Sequence, residues 1–342
     1  HKMKKRILIT LLIISIGLSL YSQDQNLRIM FYNVENFFDP VNDSVTMDDE
    51  FTEEGARHWS WYKYNDKTSK IYKVVAAFSK WQKPDIIALC EIENRYVLEN
   101  LLKRTPLGDS EYKIVHKESE DFRGIDVGLF YNPETIWPMD ENFIKIRFKN
   151  HPDKRTRDIL HLKALLKNKD TLHIFVNHWP SKYGGAVATI PFRAQAAKTL
   201  RRATDSILNV NPNANIVITG DFNDTPNDES IEQHLGAAAP DKTTKSKLIN
   251  LNSALNTNEY PGTHRYQGQW SMLDQFIVSA TMLNKENSVY TNPGQMRIGY
   301  IDLLLEPDKK YTGKKPNRTF IGFKYHGGFS DHLPIVLYLI MH

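Results

Sequence analysis

Apolar positions along this chain follow two rhythms. Short runs rich in β-branched and aromatic residues predict strands at 27–32, 85–90, 112–116, 127–131, 159–166, 172–176, 215–219, 275–278 and 334–340. Between several of them the period lengthens to that of a helix. Over 70–81, Ile71, Val74, Val75 and Phe78 share one face. A shorter helix is predicted at 94–103. Pro191 opens the clearest one, with Pro in the first turn and Ala194, Ala197, Leu200, Ile207 and Leu208 along one side. No internal repeat or long low-complexity linker is visible. Strands and helices mixed over this length predict a layered α/β architecture.

The apolar runs break in a recurrent way. The first ends in Asn33-Val34-Glu35-Asn36, and the second in Glu91-Ile92-Glu93-Asn94. The run at 172–176 ends in Asn177-His178-Trp179-Pro180, and that at 215–219 in Gly220-Asp221-Phe222-Asn223-Asp224. Ser330-Asp331-His332 stands just before the last strand. One such cluster is ordinary turn and capping chemistry. Five at strand ends predict a site, because strand ends gather at a sheet edge, where α/β proteins place ligands.

The residue types narrow the chemistry. Asn33, Glu91, Asp221, Asn223 and Asp331 offer only oxygen, the ligand set of Mg²⁺, Mn²⁺ or Ca²⁺. His178 and His332 can move protons or stabilise charge. There is no HExxH, Cys pair, GxxxxGK[ST] loop or GxSxG, which argues against a zinc protease, a P-loop enzyme and a serine hydrolase.

Composition adds a compartment and subtracts a charge. Of 342 residues, 41% are hydrophobic and 25% charged, as in a globular protein with a substantial core. Met3-Lys4-Lys5-Arg6, an apolar stretch from Ile7 to Leu20 and the small Ser22 form a secretory signal pattern over 1–22. The alternative is an uncleaved membrane anchor. The expected organisation is therefore a signal segment at 1–22, preceded by the leading His-Lys, and one catalytic domain over 23–342, secreted or periplasmic and monomeric. The single cysteine, Cys90, excludes an internal disulfide. Without Lys2, Lys4, Lys5 and Arg6, the 44 basic residues fall to 40, matching the 40 acidic ones. The remaining chain lacks the basic excess usual in non-specific nucleic-acid binders.

The motifs YNVEN at 32–36, ALCEIEN at 88–94, GIDVGLFYN at 124–132, TRDILHLKA at 156–164, VNHWPSK at 176–182, ITGDFND at 218–224, LDQFIVS at 273–279 and SDHLPIV at 330–336 together resemble the endonuclease/exonuclease/phosphatase superfamily. They occur in family order from about residue 27 to the C-terminus. The resemblance implies a four-layer α/β sandwich, two packed mixed β-sheets flanked by helices. It implies a Mg²⁺-dependent hydrolase of phosphoester bonds. Asn33, Glu91 and Asp331 would hold the metal, Mg²⁺ or else Mn²⁺ or Ca²⁺. Asp221 and Asn223 would orient or activate water, or hold a second metal. His332, oriented by Asp274, and His178 would contact the scissile phosphate. Arg157 falls where some nucleases of the family use an Arg on phosphate.

Several residues stay open at this level. Glu35 and Glu93 are either supports of the site or exposed. Arg193 reaches the site or does not. Asp126 reads as structural. Trp179 and Trp270 stack on a substrate or pack. The segment 39–68, acidic and then aromatic, and the segment 299–329, with five basic residues between Lys309 and Arg318, have no assigned role. The substrate expectation is a phosphoester of a small molecule or lipid head group, with no stable membrane insertion after signal cleavage. The alternative is a secreted endonuclease cleaving DNA or RNA. The acidic 39–54 stretch weakens that alternative, and the basic residues at 309–318 restore part of it.

Overall fold

The computed structural model describes residues 25–79, 82–240 and 246–342. The signal segment expected at 1–22 lies outside the described residues. Fourteen strands build two mixed sheets of seven. The first has the order β12-β14-β1-β2-β4-β3, with β13 also paired to β14. Its members are β1 (Gln25–Phe37), β2 (Ile86–Ile92), β3 (Lys113–His116), β4 (Asp126–Tyr131), β12 (Val289–Tyr290), β13 (Met296–Ile298) and β14 (Ile335–Met341). The second runs β5-β6-β7-β8-β11-β10-β9. It contains β5 (Ile136–Ile144), β6 (Ile159–Leu166), β7 (Thr171–His178), β8 (Asn215–Asp221), β9 (Ala237–Ala238), β10 (Leu248–Asn250) and β11 (Asp274–Ser279). The α-helices among the described residues are α1 (Trp61–Ser79), α2 (Arg95–Lys103) and α3 (Ile190–Val210).

Strand alternation assigns the layers. Ile174, Val176 and Val217 join the core shared with the first sheet, together with Val74 and Val75 of α1. Phe175, Ile216 and Ile218 point the other way, onto Ala196, Ala197 and Leu200 of α3. Helices thus cover both outer faces, and the expected sandwich is the observed one. Cys90 is completely buried within β2. α1 begins nine residues before its predicted start, because Lys67 falls in its buried stripe between Tyr64 and Ile71 and hides the period. β5 carries little apolar alternation and was missed for that reason; most of it is exposed at the edge of its sheet.

The polar strand ends are not ends. β1 continues through YNVENF to Phe37, and its register on β2 shifts between Asn33 and Phe37. β2 runs through Glu91 to Ile92, with a shift against β4 at the same point. The irregular residues Glu35, Asn36 and Glu91 take left-handed backbone, with φ of 53°, 56° and 61°. A bulge of this kind re-aims a side chain without ending the strand. In β8, Gly220 is obligatory: at φ 154°, a Cβ would stand 2.2 Å from the Asn177 carbonyl oxygen.

Candidate active site

β1 and β2 are parallel, as are β7 and β8, and contacts of Asn33 with Asp221 and of Glu91 with His178 place the C-terminal ends of all four at one edge of the sandwich. β11 starts at that edge, with Asp274 paired to Asp221, and His332 stands at the entry to β14. Asn33, Glu91, His178, Asp221, Asp274 and His332 therefore converge from both sheets. Asn33 Nδ2 donates to Glu91 Oε1 at 3.2 Å and to Asp221 Oδ2 at 3.1 Å. His178 Nε2 stands 3.8 Å from Glu91 Oε1 and 3.7 Å from Asp221 Oδ2. His332 Nε2 is also 3.7 Å from Asp221 Oδ2, while its Nδ1 is bonded to Asp274 Oδ2 at 2.7 Å. Asn223, at φ 52°, donates its N–H to Asp221 Oδ1 at 2.9 Å and its Nδ2–H to the Trp179 carbonyl at 3.0 Å.

The two histidines differ in charge for local reasons. Burial works against a charged His332, but Asp274 and Asp221 outweigh it and hold the imidazolium well above its usual pKa. His178 is pushed well below its usual range by burial and by the nearby Arg157 and Arg123, so it is neutral. Burial raises Asp221 to about 7, with His332 pulling the other way. One face of the cluster thus holds a carboxyl poised near neutrality, a cation and a neutral imidazole.

Sequence reasoning missed the cations that complete the site. Arg318, in the 299–329 segment, donates from Nε and Nη2 to Glu35 Oε1 at 3.1 and 3.0 Å, and from Nη2 to Asp331 Oδ2 at 2.9 Å. Burial opposes ionisation of Asp331, but Arg318, His332 and His264 overcome it and hold the carboxyl at about 2. Lys67 is fully buried behind them, donating to Thr319 Oγ1 at 2.5 Å and the Phe329 carbonyl at 2.6 Å. Burial lowers its pKa to about 8, against the pull of Glu35 and Asp331. His264 packs on His332 with ring centroids 4.8 Å apart. The available signal was the basic content of 299–329, which gave no register.

Other expectations change. Arg157 is not placed as a phosphate contact: its guanidinium is buried and committed to Asp121 at 3.0 Å and to the carbonyls of His178 and Trp179 at 3.2 and 2.7 Å. Asn33 stands between the carboxylates of Glu91 and Asp221. Its Oδ1 accepts the Glu35 N–H, and its amide N–H groups face the carboxylates. Glu35 and Glu93 are both buried, the first under Arg318, the second accepting the Asp39 N–H at 2.7 Å. Arg193 pairs with Asp224 at 2.7 Å and pins the loop after β8. Trp179 packs edge-on against Phe222, and Asn94 caps α2. Asp126 is structural, accepting the Ser119 N–H at 3.0 Å.

Asp221, Asp274 and His332 bring ligand atoms within 4.8 Å of one another, as do His264, Asp331 and His332. A protonated His332 offers no lone pair, which disfavours both groups as cages. Glu91 fits a hard cation better. Its half-buried carboxylate accepts hydrogen bonds from neutral donors alone, Asn33 Nδ2 and the Asn36 N–H, among the described residues. An all-oxygen site with one or two carboxylates, completed by water and phosphate oxygens, suits Mg²⁺.

A family model described as Endonuclease/Exonuclease/phosphatase family matches residues 28–341. No curated protein matches the sequence. Among solved structures, the human Nocturnin catalytic domain with bound sulfate anion aligns at 17% identity, covering 94% of this chain and 97% of that one, with a TM-score of 0.55. A Bacteroides thetaiotaomicron mannosyl-6-phosphatase aligns at 15%, covering 92% and 100%, with a TM-score of 0.55. D. rerio TDP2 complexed with single strand DNA product aligns at 15%, covering 92% and 99%, with a TM-score of 0.54. At these identities the likeness is one of fold.

Proposed function

We propose that this chain, which belongs to the endonuclease/exonuclease/phosphatase family, hydrolyses a phosphoester bond by divalent-metal-assisted attack of water on phosphorus. The observation that carries the reading is the Asp274–His332 pair at 2.7 Å, whose outer nitrogen stands 3.7 Å from Asp221. A carboxyl near neutrality beside a fixed imidazolium suits the two needs of the reaction, a proton acceptor for water and a positive donor for the phosphoryl oxygens. Asp221 accepts the water proton on its carboxylate, steadied by Asn33 and the Asn223 backbone. His332 donates its Nε2–H to a phosphoryl oxygen, and Asp274 keeps it charged. Neutral His178 donates a hydrogen bond from the opposite side. Glu91 would hold the ion, Mg²⁺ or else Mn²⁺ or Ca²⁺, with Asp331 as the nearby charge. Held there, the ion would supply charge neutralisation for the phosphate and stabilisation of the leaving oxygen. Water and the P–O bond supply the balance: the attacking hydroxyl joins phosphorus, and the leaving alkoxide takes a proton.

The working assignment is a monomeric, exported enzyme acting on a small phosphoester. The test uses hydrolysis of bis(p-nitrophenyl) phosphate with and without EDTA, alongside plasmid DNA, sphingomyelin and inositol phosphates. Expected are EDTA-sensitive turnover and a loss of about 10²–10³ in kcat for Asp221→Asn or His332→Ala. Absence of turnover on every phosphoester with Mg²⁺, Mn²⁺ and Ca²⁺ would overturn the reading. DNA cleavage at catalytic protein levels, lost in His178→Ala, would replace the small substrate by nucleic acid. Mass analysis of the exported protein tests removal of residues 1–22.

A further inference from the structure

Arg157, bonded to the His178 and Trp179 carbonyls, lines a cleft of ≈ 550 Å³. Its lining includes Glu50 and Arg57 of the 39–68 segment, Ser181 and Tyr183 of the turn after His178, and Phe323 of the 299–329 segment. The lining is unbalanced in charge. It holds five cations, Arg57, Arg123, Lys154, Arg155 and Arg157, against two carboxylates, Glu50 and Asp121.

The local pairing shows where the surplus lies. Arg57 is taken up by Glu50 at 3.2 Å and Arg155 by Glu120 at 2.9 Å. Arg157 and Arg123 share the single Asp121, at 3.0 and 3.7 Å. Lys154 lies 4.3 Å over the Phe192 ring and has no carboxylate partner among the described residues. Burial and the neighbouring Arg157 both disfavour the charge on Arg123, against the pull of Asp121, which already holds Arg157. Arg157 ties the cleft to the reaction centre, its Nε donating to the His178 carbonyl at 3.2 Å. The rim is aromatic: Phe122, Phe323 and Tyr183 are 55%, 62% and 94% exposed.

We propose that this cleft binds a second phosphate of the substrate, one that is not hydrolysed, so that the enzyme acts on small molecules carrying two phosphate groups. The proposal rests on the phosphoester-hydrolase reading of the adjoining site. A guanidinium fork beside an ammonium matches the geometry and charge of a phosphate. The cleft has the volume of a small-molecule site rather than the length of a groove for duplex nucleic acid. The exposed rings suit a flat or apolar moiety between the two phosphates.

The experiment compares paired substrates that differ only in the second phosphate: adenosine 5′-monophosphate with adenosine 3′,5′-bisphosphate, and a hexose 6-phosphate with the hexose 1,6-bisphosphate. Expected is a KM about tenfold lower for the bisphosphate of at least one pair, a difference abolished by Arg123→Gln and by Lys154→Gln. Preference for the nucleoside pair, reduced by Phe122→Ala, assigns the ring; preference for the hexose pair assigns a sugar, and either supports the cleft. Equal KM within both pairs, with turnover intact, overturns the cleft while leaving the hydrolase reading standing. Binding of inorganic pyrophosphate by calorimetry gives an arm independent of turnover. Weakening by about tenfold in Arg123→Gln and in Lys154→Gln supports the cleft, and unchanged binding in both refutes it.

Discussion

At the scale of single residues, the site is built by side chains that hold other side chains. Glu35, Asn36, Glu91 and Asn223 all sit at positive φ, where a non-glycine residue is strained. All four are tied down by hydrogen bonds across the site: Glu35 by Arg318, Asn36 and Glu91 by each other, and Asn223 by Trp179. Removing the Asp274 carboxylate takes away the largest attraction that keeps His332 charged. Asp274→Asn should therefore lower the His332 pKa, move the basic limb of the pH–kcat profile to lower pH, and reduce kcat by about 10–10² at neutrality. An unshifted profile with full activity would remove Asp274 from the mechanism. Arg157 makes the opposite kind of prediction. Its loss leaves Asp121 buried without its guanidinium partner, so Arg157→Met should cost about 3 kcal/mol in urea unfolding. It should lower kcat by freeing the His178–Trp179 backbone. A rise in KM alone, with stability intact, would restore the phosphate-contact role expected from the sequence.

At the scale of elements, the apolar rhythm located nine of the main strands because buried parallel and central strands carry their own signal. β6 matches its predicted span of 159–166 without change. The strand ends were misjudged because Asn33 and Glu91 face partners on the other sheet that sequence spacing cannot reveal. The catalytic cluster was legible as polar residues at strand ends. Arg318, Lys67 and Arg123 were not, since long cations on loops or hidden in a helix stripe look like solvated charge. β6 and β7 add a stability device. His161 Nε2 and His173 Nδ1 are bonded at 3.0 Å on the face that carries Phe175. Burial lowers both to about 4, from an ordinary value of about 6.5. The unfolded chain thus takes up protons first as pH falls. Stability is intact above about 6.5 and is lost through the window down to about 4, on the order of 2 kcal/mol for the first proton. His161→Phe should flatten the difference in urea midpoint between pH 7 and pH 4.5. An equally steep fall in that variant would place the acid sensitivity elsewhere.

At the scale of the whole molecule, the two sheets meet through the site as well as through the core. Glu91 and His332 belong to the first sheet or its approach, and His178, Asp221 and Asp274 to the second. A ligand bound there stabilises both sheets at once. Mg²⁺ with inorganic phosphate at a hundred times its Kd should add about 2.7 kcal/mol and raise a single thermal transition. Glu91→Gln should lose the Mg²⁺-dependent part of that shift, and two separate transitions would show that the sheets unfold independently. Cys90, the only cysteine, lies one residue before Glu91, fully buried, with burial pushing its thiol well above the usual pKa. The native chain is therefore closed to thiol reagents and carries one label site that opens only with its central sheet. The rate at which a maleimide tags that thiol is a clock for opening, read on the unmodified sequence, and a site ligand should slow it in proportion to its occupancy.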